Sequence, residues 1–228
     1  MTHKKRATPA VSLRSERKRR QILDAAADVV AQRGYANTML AEIAARIEVQ
    51  PGALYYHFES REHLFTEVLR QGMEDAHDHM QKVMQDLPDN ATPIQRLEAG
   101  IHAHFATQFF GSSYSRASYR IIGEIPDEMR ITVQAKQKSY RKFLVSLVRS
   151  AVDAGELESV DCETFVFLLL GAINYVPQWF NTHGRMGANE VYDLLVKMIV
   201  HGVVTSKGKE NLGGSTRTPF VFPVVESV

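Results

Sequence analysis

The chain has 228 residues, 44% hydrophobic and 23% charged, with a single cysteine. That length and apolar content support one or two compact domains and exclude a disordered tail, while the lone Cys162 excludes an internal disulfide and a CxxC metal or redox pair. The net charge of +1 hides an asymmetry. Residues 1–20 hold eight Lys/Arg against Glu16 alone, a surplus of seven that leaves −6 on the remainder, as expected where one end of a molecule meets a polyanion.

Helical periodicity dominates and strand alternation is scarce, so the expected class is all-α. Residues 1–14 are expected to be a disordered basic arm. From Ser15, Ile22, Leu23, Ala26, Val29 and Val30 recur three and four apart, and Gly34 after Arg33 is a glycine stop behind a basic last turn. Thr38 is the expected N-cap of a short second helix carrying Met39, Leu40, Ile43, Ala44 and Ile47 on one face. Pro51 suits the first position of a third helix through Ala53, Leu54, Tyr55 and Tyr56. Ser60 caps a fourth helix, expected to run past Met73 to about Asp86.

Two short helices separated by Glu48, Val49 and Gln50 form a helix-turn-helix pattern, in which the second helix enters the DNA major groove. Small residues at Gly52 and Ala53 allow close approach. The hydroxyls of Tyr55 and Tyr56 and the ring of His57 suit phosphate oxygens, and Arg61 adds a charge-assisted contact. Tyr56 fits two placements, since a tyrosine can bury its ring and still offer its hydroxyl. Gln50 can read a base edge or bond the backbone. Thr38, at a helix N-terminus, is both a cap and a phosphate site. Arg14 and Lys18 are the expected contacts from the basic end, and Leu54 and Phe58 read as core.

The stretch from about Arg17 to Leu69, "ILDAAADVVAQRGYANTMLAEIAARIEVQPGALYYHFESREHLF", resembles the DNA-binding domain of the tetracycline-repressor (TetR) family of bacterial transcription regulators, most specifically in LYYHF followed by Ser-Arg-Glu. It departs where the family often has glycine for Glu48, serine for Gln50 and lysine for Arg61. Glu48 must then adopt a helix-ending conformation that glycine adopts more cheaply. The expected organisation is a helix-turn-helix DNA-binding domain over 15–70, a helical domain over 71–206, to which the resemblance gives effector binding and dimerisation, and a glycine- and serine-containing flexible tail over 207–228. The resemblance also implies double-stranded operator DNA, a small hydrophobic effector and a second copy of the chain as partners.

Farther along, "TPIQRLEAGIHAHFATQFF" sets Ile94, Leu97, Ile101, Phe105 and Phe109 on one helical face and is broken by "GSSYS". "ASYRIIGEIP" is short, and a long helix after Pro126 should end at Gly155. Two helices follow, over about 161–182 and 188–205. In the resembled family the last two long helices pack against their symmetry mates, which would set two heads about 34–36 Å apart, one turn of DNA. The apolar run "FVFLLLGAINYVPQWF" is interrupted by Asn174, Pro177 and Gln178 and is too short for the roughly 20 residues of a membrane helix.

An effector pocket would be apolar with a few convergent polar groups. The candidates are His102, Phe105, Phe109, Tyr114, Tyr119, Ile122, Phe143, Asn174 and Trp179, although aromatics at helical spacing ordinarily form core. His102 and Asn174 stand out because a polar group within an apolar helix needs a partner or a ligand. "IPDEMR" leading into a long helix that ends in "AGEL" resembles the ligand domains of family members that sense acyl-coenzyme A thioesters or other hydrophobic carboxylate-derived metabolites. No GxSxG, P-loop, GxGxxG or HExxH motif is present, and the His pairs at 77/79 and 102/104 diverge on a helix. No enzyme activity, metal or cofactor is expected. The expected location is the cytoplasm, and the alternative to a DNA-binding regulator is a basic-arm membrane-surface or other helical interaction protein.

Overall fold

A computed structural model describes residues 9–181 and 183–213. Among these, nine α-helices and one 3-10 helix make up the regular structure: α1 (Pro9–Arg33), α2 (Leu40–Arg46), the 3-10 helix Pro51–Tyr56, α3 (Arg61–Gln85), α4 (Pro93–Phe110), α5 (Ser113–Ile121), α6 (Asp127–Asp153), α7 (Cys162–Trp179), α8 (Ala188–Ile199) and α9 (Ser206–Gly213). Local chemistry sets most of the boundaries. Gly34, at φ 78°, ends α1, and its N–H donates to Val30 O. Ser60 Oγ accepts the His63 N–H at the start of α3, Thr92 and Gln95 form a capping box on α4, and Asp161 accepts the Thr164 N–H at the start of α7.

Four expectations are corrected. α1 starts at Pro9, six residues before Ser15, because proline fits the first turn of a helix and strong helix formers follow it; of the expected arm, only residues 1–8 lie outside the described residues. The N-cap of α2 is Met39. Thr38 is 2% exposed, and its hydroxyl donates to Gly34 O (2.8 Å), tying the α1–α2 turn together from inside. The recognition segment is a single 3-10 helix of six residues. Finally, α8 stops at Ile199, and the expected flexible tail begins with a docked helix, α9, whose Leu212 is buried. Residues 214–228 of that tail lie outside the described residues.

α9 is held by a buried carboxylate. Glu156 accepts the Ile94 N–H at the start of α4 (2.8 Å) and the Asn211 amide of α9, while Gln95 Nε2 donates to Asn211 O. One charge thus satisfies an orphan donor of α4 and anchors the end of the described chain.

Two cores result. The head core joins α1, α2, the 3-10 helix and the first turns of α3 with Tyr114, Ala117 and Ile121 of α5 and Met129 and Val133 of α6. The body core is built around α4, with Met80 of α3, the rest of α6, α7 and α8. The head is therefore not closed by residues 15–70 alone. α3 and α5 cross at Gly72, where a Cβ would lie 2.1 Å from Tyr114 O and 2.2 Å from Ser118 Oγ. Only glycine permits that backbone approach.

Candidate functional site

The exposed edge of the head follows from which residues the head core leaves outside. Leu54 and Phe58 are buried and anchor the 3-10 helix, so the residues between them and before them face out. Gln50, Gly52 and Ala53 are exposed, and the space around Gly52 is open. Tyr55 is 56% and Tyr56 81% exposed, a large amphipathic surface. Gln50 makes no capping bond with its side chain, which leaves that side chain available. Glu48 holds the preceding turn at φ 55°, the left-handed conformation that the glycine-to-Glu departure requires. His57 packs edge-on to Tyr56, and its pKa is lowered by burial and by the nearby positive charges of Arg19 and Lys18. α1 therefore brings cations to the same surface as the aromatic pair. Arg14 is exposed and Lys18 half-buried on that helix.

Arg61 is placed differently from expectation. Its guanidinium lies 3.9 Å from the Tyr35 ring centroid and 5.0 Å from that of Phe65, and donates to Tyr35 O and Thr38 O. It is a clamp on the α1–α2 turn, and its donors point inward.

The second site is a cavity of about 600 Å³ bounded by α3, α5, α6 and α7. Met73, Ile122, Phe167 and Leu170 supply apolar wall. Its polar floor is His104 of α4, which is fully buried; burial lowers its pKa to about 4, so the ring is neutral. Asn174 Oδ1 accepts from His104 Nε2–H (3.0 Å) and from Gln108 Nε2 (2.5 Å). Nδ1 is then the acceptor facing the hydroxyls of Tyr140 (3.1 Å) and Tyr119 (3.2 Å). Burial raises the pKa of both phenols.

Cavity and head share two connections. α5 borders the cavity through Ser118, Tyr119 and Ile122, while at its other end Tyr114 donates to Asp24 of α1 (2.6 Å) and Ser113 to Asp28. Just past α5, Glu124 accepts the Tyr35 N–H (2.8 Å), on the turn that Arg61 clamps. A line of ion pairs runs in parallel. Lys136 and Glu74 pair at the cavity rim, Arg70 bridges Glu74 (2.7 Å) and Glu67 (3.3 Å), and Glu67 binds Arg19 of α1 (3.0 Å), whose guanidinium sits 4.8 Å over the Phe58 ring.

Comparison with known proteins places this arrangement. Residues 22–68 match the model of bacterial regulatory proteins of the tetR family, and residues 90–203 match the tetracyclin repressor-like C-terminal domain. The chain belongs to the TetR family. Family members bind operator DNA and small effectors as dimers, and the family is one of DNA-binding regulators rather than enzymes. The chain is 22% identical over 185 residues to the fatty acid metabolism regulator protein of Bacillus subtilis (strain 168), covering 80% of this chain and 94% of that one. It is 24% identical over 204 residues to the transcriptional repressor KstR2 of Mycolicibacterium smegmatis, covering 85% and 94%. The crystal structure of AibR in complex with isovaleryl coenzyme A and operator DNA superposes with a TM-score of 0.72 at 27% identity, over 80% of this chain and 97% of that one.

Within this TetR-family chain, the cavity gathers Tyr119, Ile122 and Asn174 from the expected effector residues and leaves the others outside. Phe105 stacks on Phe109 (4.7 Å), and Phe109 packs against Phe180, inside the body core. His102 packs edge-on to Tyr192 of α8, on the other side of α4. Tyr114 belongs to the head–body junction. Phe143 and Trp179 are exposed and line no part of the cavity. Sequence reasoning missed His104, Tyr140, Arg141, Lys136 and Phe167. The available signal was that His104 and Gln108 are polar residues one turn apart in an apolar helix, which requires a shared partner. No helix among the described residues is long and apolar enough to cross a membrane, and among them no group of three or more His, Cys, Asp or Glu could hold a metal.

Proposed function

We propose that this TetR-family protein is a repressor whose operator affinity is set by a small hydrophobic, carboxylate-derived effector, an acyl-coenzyme A thioester or the parent acid, bound in the cavity. The observation that carries the reading is the double role of α5, which walls the cavity with Tyr119 and Ile122 and bonds to the head through Tyr114 and Asp24. A ligand that prefers one α5 position biases the orientation of the head. The relatives support the effector class, since one is a fatty acid regulator and one structure holds an acyl-coenzyme A with operator DNA.

In this reading the DNA contacts are Gln50, Gly52, Ala53, Tyr55, Tyr56 and His57, with Arg14 and Lys18 on flanking phosphates, in the cytoplasm where the operator lies. Thr38 and Arg61 support the fold of the turn and take no direct part. Two copies pair through the apolar surface that Leu168, Tyr175 and Trp179 of α7 and Leu194 and Met198 of α8 leave exposed on the single chain.

The test is reciprocity. Fatty acids and their coenzyme A thioesters are screened by thermal shift, and each binder is measured with and without operator DNA. The factor by which ligand weakens DNA binding must equal the factor by which DNA weakens ligand binding, typically about 5- to 150-fold. A tight ligand with a factor of one refutes effector control by that compound.

A further inference from the structure

Several of the polar groups that line the cavity are already engaged, and one cation among them is not. Glu74 is held by Arg70 and Lys136. The His104 Nδ1 lone pair faces both phenols and takes a proton from one of them, which leaves the other hydroxyl as a neutral donor. Asn174 Oδ1 is occupied by two donors, so its amide N–H groups are the part left for the cavity. Arg141 lines the cavity and makes no ion pair or hydrogen bond among the described residues; its guanidinium is held 4.8 Å over the ring of Phe167, itself a wall residue. Stacking orients the cation while leaving its in-plane N–H donors unused. Asp78 also borders the cavity, on its exposed rim, and forms no ion pair with Arg141 within 4.0 Å.

Arg141 therefore brings unused donors and an unpaired positive charge to one place in the lining, with the Asp78 carboxylate out on the exposed rim. Phe167 and Asn174 lie seven residues apart on the same stripe of α7, about 10 Å along the helix, so Arg141 stands well away from the neutral His104–Asn174 floor. Between Phe167 and Asn174, α7 adds Leu170 and Gly171 to the wall. Resting on the reading of this cavity as the effector site, we propose that Arg141 is an oxyanion subsite, which takes the carboxylate or phosphate of a ligand whose apolar chain runs toward Asn174.

The experiment uses the full chain without DNA and four probes of one chain length: decanoate, decanoyl-coenzyme A, methyl decanoate and decanol. Calorimetry on the wild type should show one or both anions binding about ten- to a hundredfold more tightly than the neutral compounds, the range expected for a charged hydrogen bond. Tight decanoate places a carboxylate at Arg141, and tight decanoyl-coenzyme A alone places a phosphate there. Arg141→Gln should abolish the preference and Arg141→Lys should restore part of it. The proposal is overturned if the neutral probes bind as tightly as the anions, if no probe binds, or if Arg141→Gln keeps the preference. The wild-type comparison and Arg141→Lys decide the matter if Arg141→Gln does not fold. Operator release by the same probes is scored separately, so a charge preference without release upholds the subsite and removes the regulatory reading.

Discussion

His57 stands beside Lys18 and Arg19, and burial together with their charge lowers its pKa, so the free protein carries it neutral at pH 7. A DNA phosphate placed there would offset both cations and favour the imidazolium, so the bound pKa exceeds the free one. Linkage then requires proton uptake on binding, and operator affinity should rise as pH falls through the interval between the two values. His57→Ala should flatten that dependence in binding measured from pH 8 to 5.5; a slope unchanged in the variant would take His57 off the interface. Arg61 gives the opposite kind of expectation. Because its guanidinium is stacked on Tyr35 and bonded to turn carbonyls, Arg61→Ala should destabilise the head by about 1–3 kcal/mol. The slope of log affinity against log salt should stay unchanged for Arg61→Ala, whereas Lys18→Ala should lower it by about one. The sequence pattern could not separate these two cations. Both are cations expected at phosphates, and only the packing of Tyr35 against Phe65 creates the slot that turns Arg61 inward.

At the scale of elements, what depends on neighbours in sequence was legible and what depends on the phase of a helix was not. Ser60, Asp161, Gly34 and Gly155 act within one turn of themselves, and each ends or begins a helix where expected. α4 shows the limit. It is the central helix of the body, touched by α3, α5, α6, α7, α8 and α9, so it is apolar on nearly every side and its pattern does not say which side meets a cavity. His102 and His104 point to different neighbours for that reason, and only the second reaches the cavity. α7 is apolar all round because three stripes serve three purposes: Phe165, Leu169 and Ile173 go to the core, Phe167, Gly171 and Asn174 to the cavity, and Leu168, Tyr175 and Trp179 stay uncovered. α9 was missed because its tie, Glu156 to Asn211, spans 55 residues. The α3–α5 crossing carries a prediction of its own. Gly72→Ala must push Tyr114 O and Ser118 away, and overpacking of this kind costs about 1–3 kcal/mol, measurable by denaturant unfolding. Equal stability of the variant would mean that the two helices separate freely.

For the whole molecule, acid should loosen the body. His102 and His104 both titrate at about 4 in the folded chain, chiefly through burial, against 6.5 for an ordinary histidine. Between those values the unfolded chain binds protons that the folded one refuses, so stability is full above pH 6.5 and falls as pH drops toward 4. His104 alone accounts for up to about 1.4 kcal/mol per pH unit in that window. Denaturant midpoints at pH 7.5, 6 and 5 should show the loss, and His104→Gln should make it shallower; a midpoint indifferent to pH would contradict neutral burial of the ring. The Gly72 crossing also has a mechanical meaning. If α3 pivots there, the distance from the pivot to Arg61 is about 16 Å and to Ala76, one turn along the stretch from Gly72 to Asp78 that lines the cavity, about 6 Å. The helix is then an unequal lever that magnifies displacement nearly threefold, and a push of about 1 Å at Ala76 becomes roughly 3 Å at the head, close to the ~3.4 Å between successive bases of a strand. Spin labels at Glu59 in both copies of the dimer would register the stroke as a changed distance on ligand binding, and an unchanged distance would rule the lever out. With a lever of this ratio, a displacement of about 1 Å in the cavity would move each reading head by a distance close to one base step.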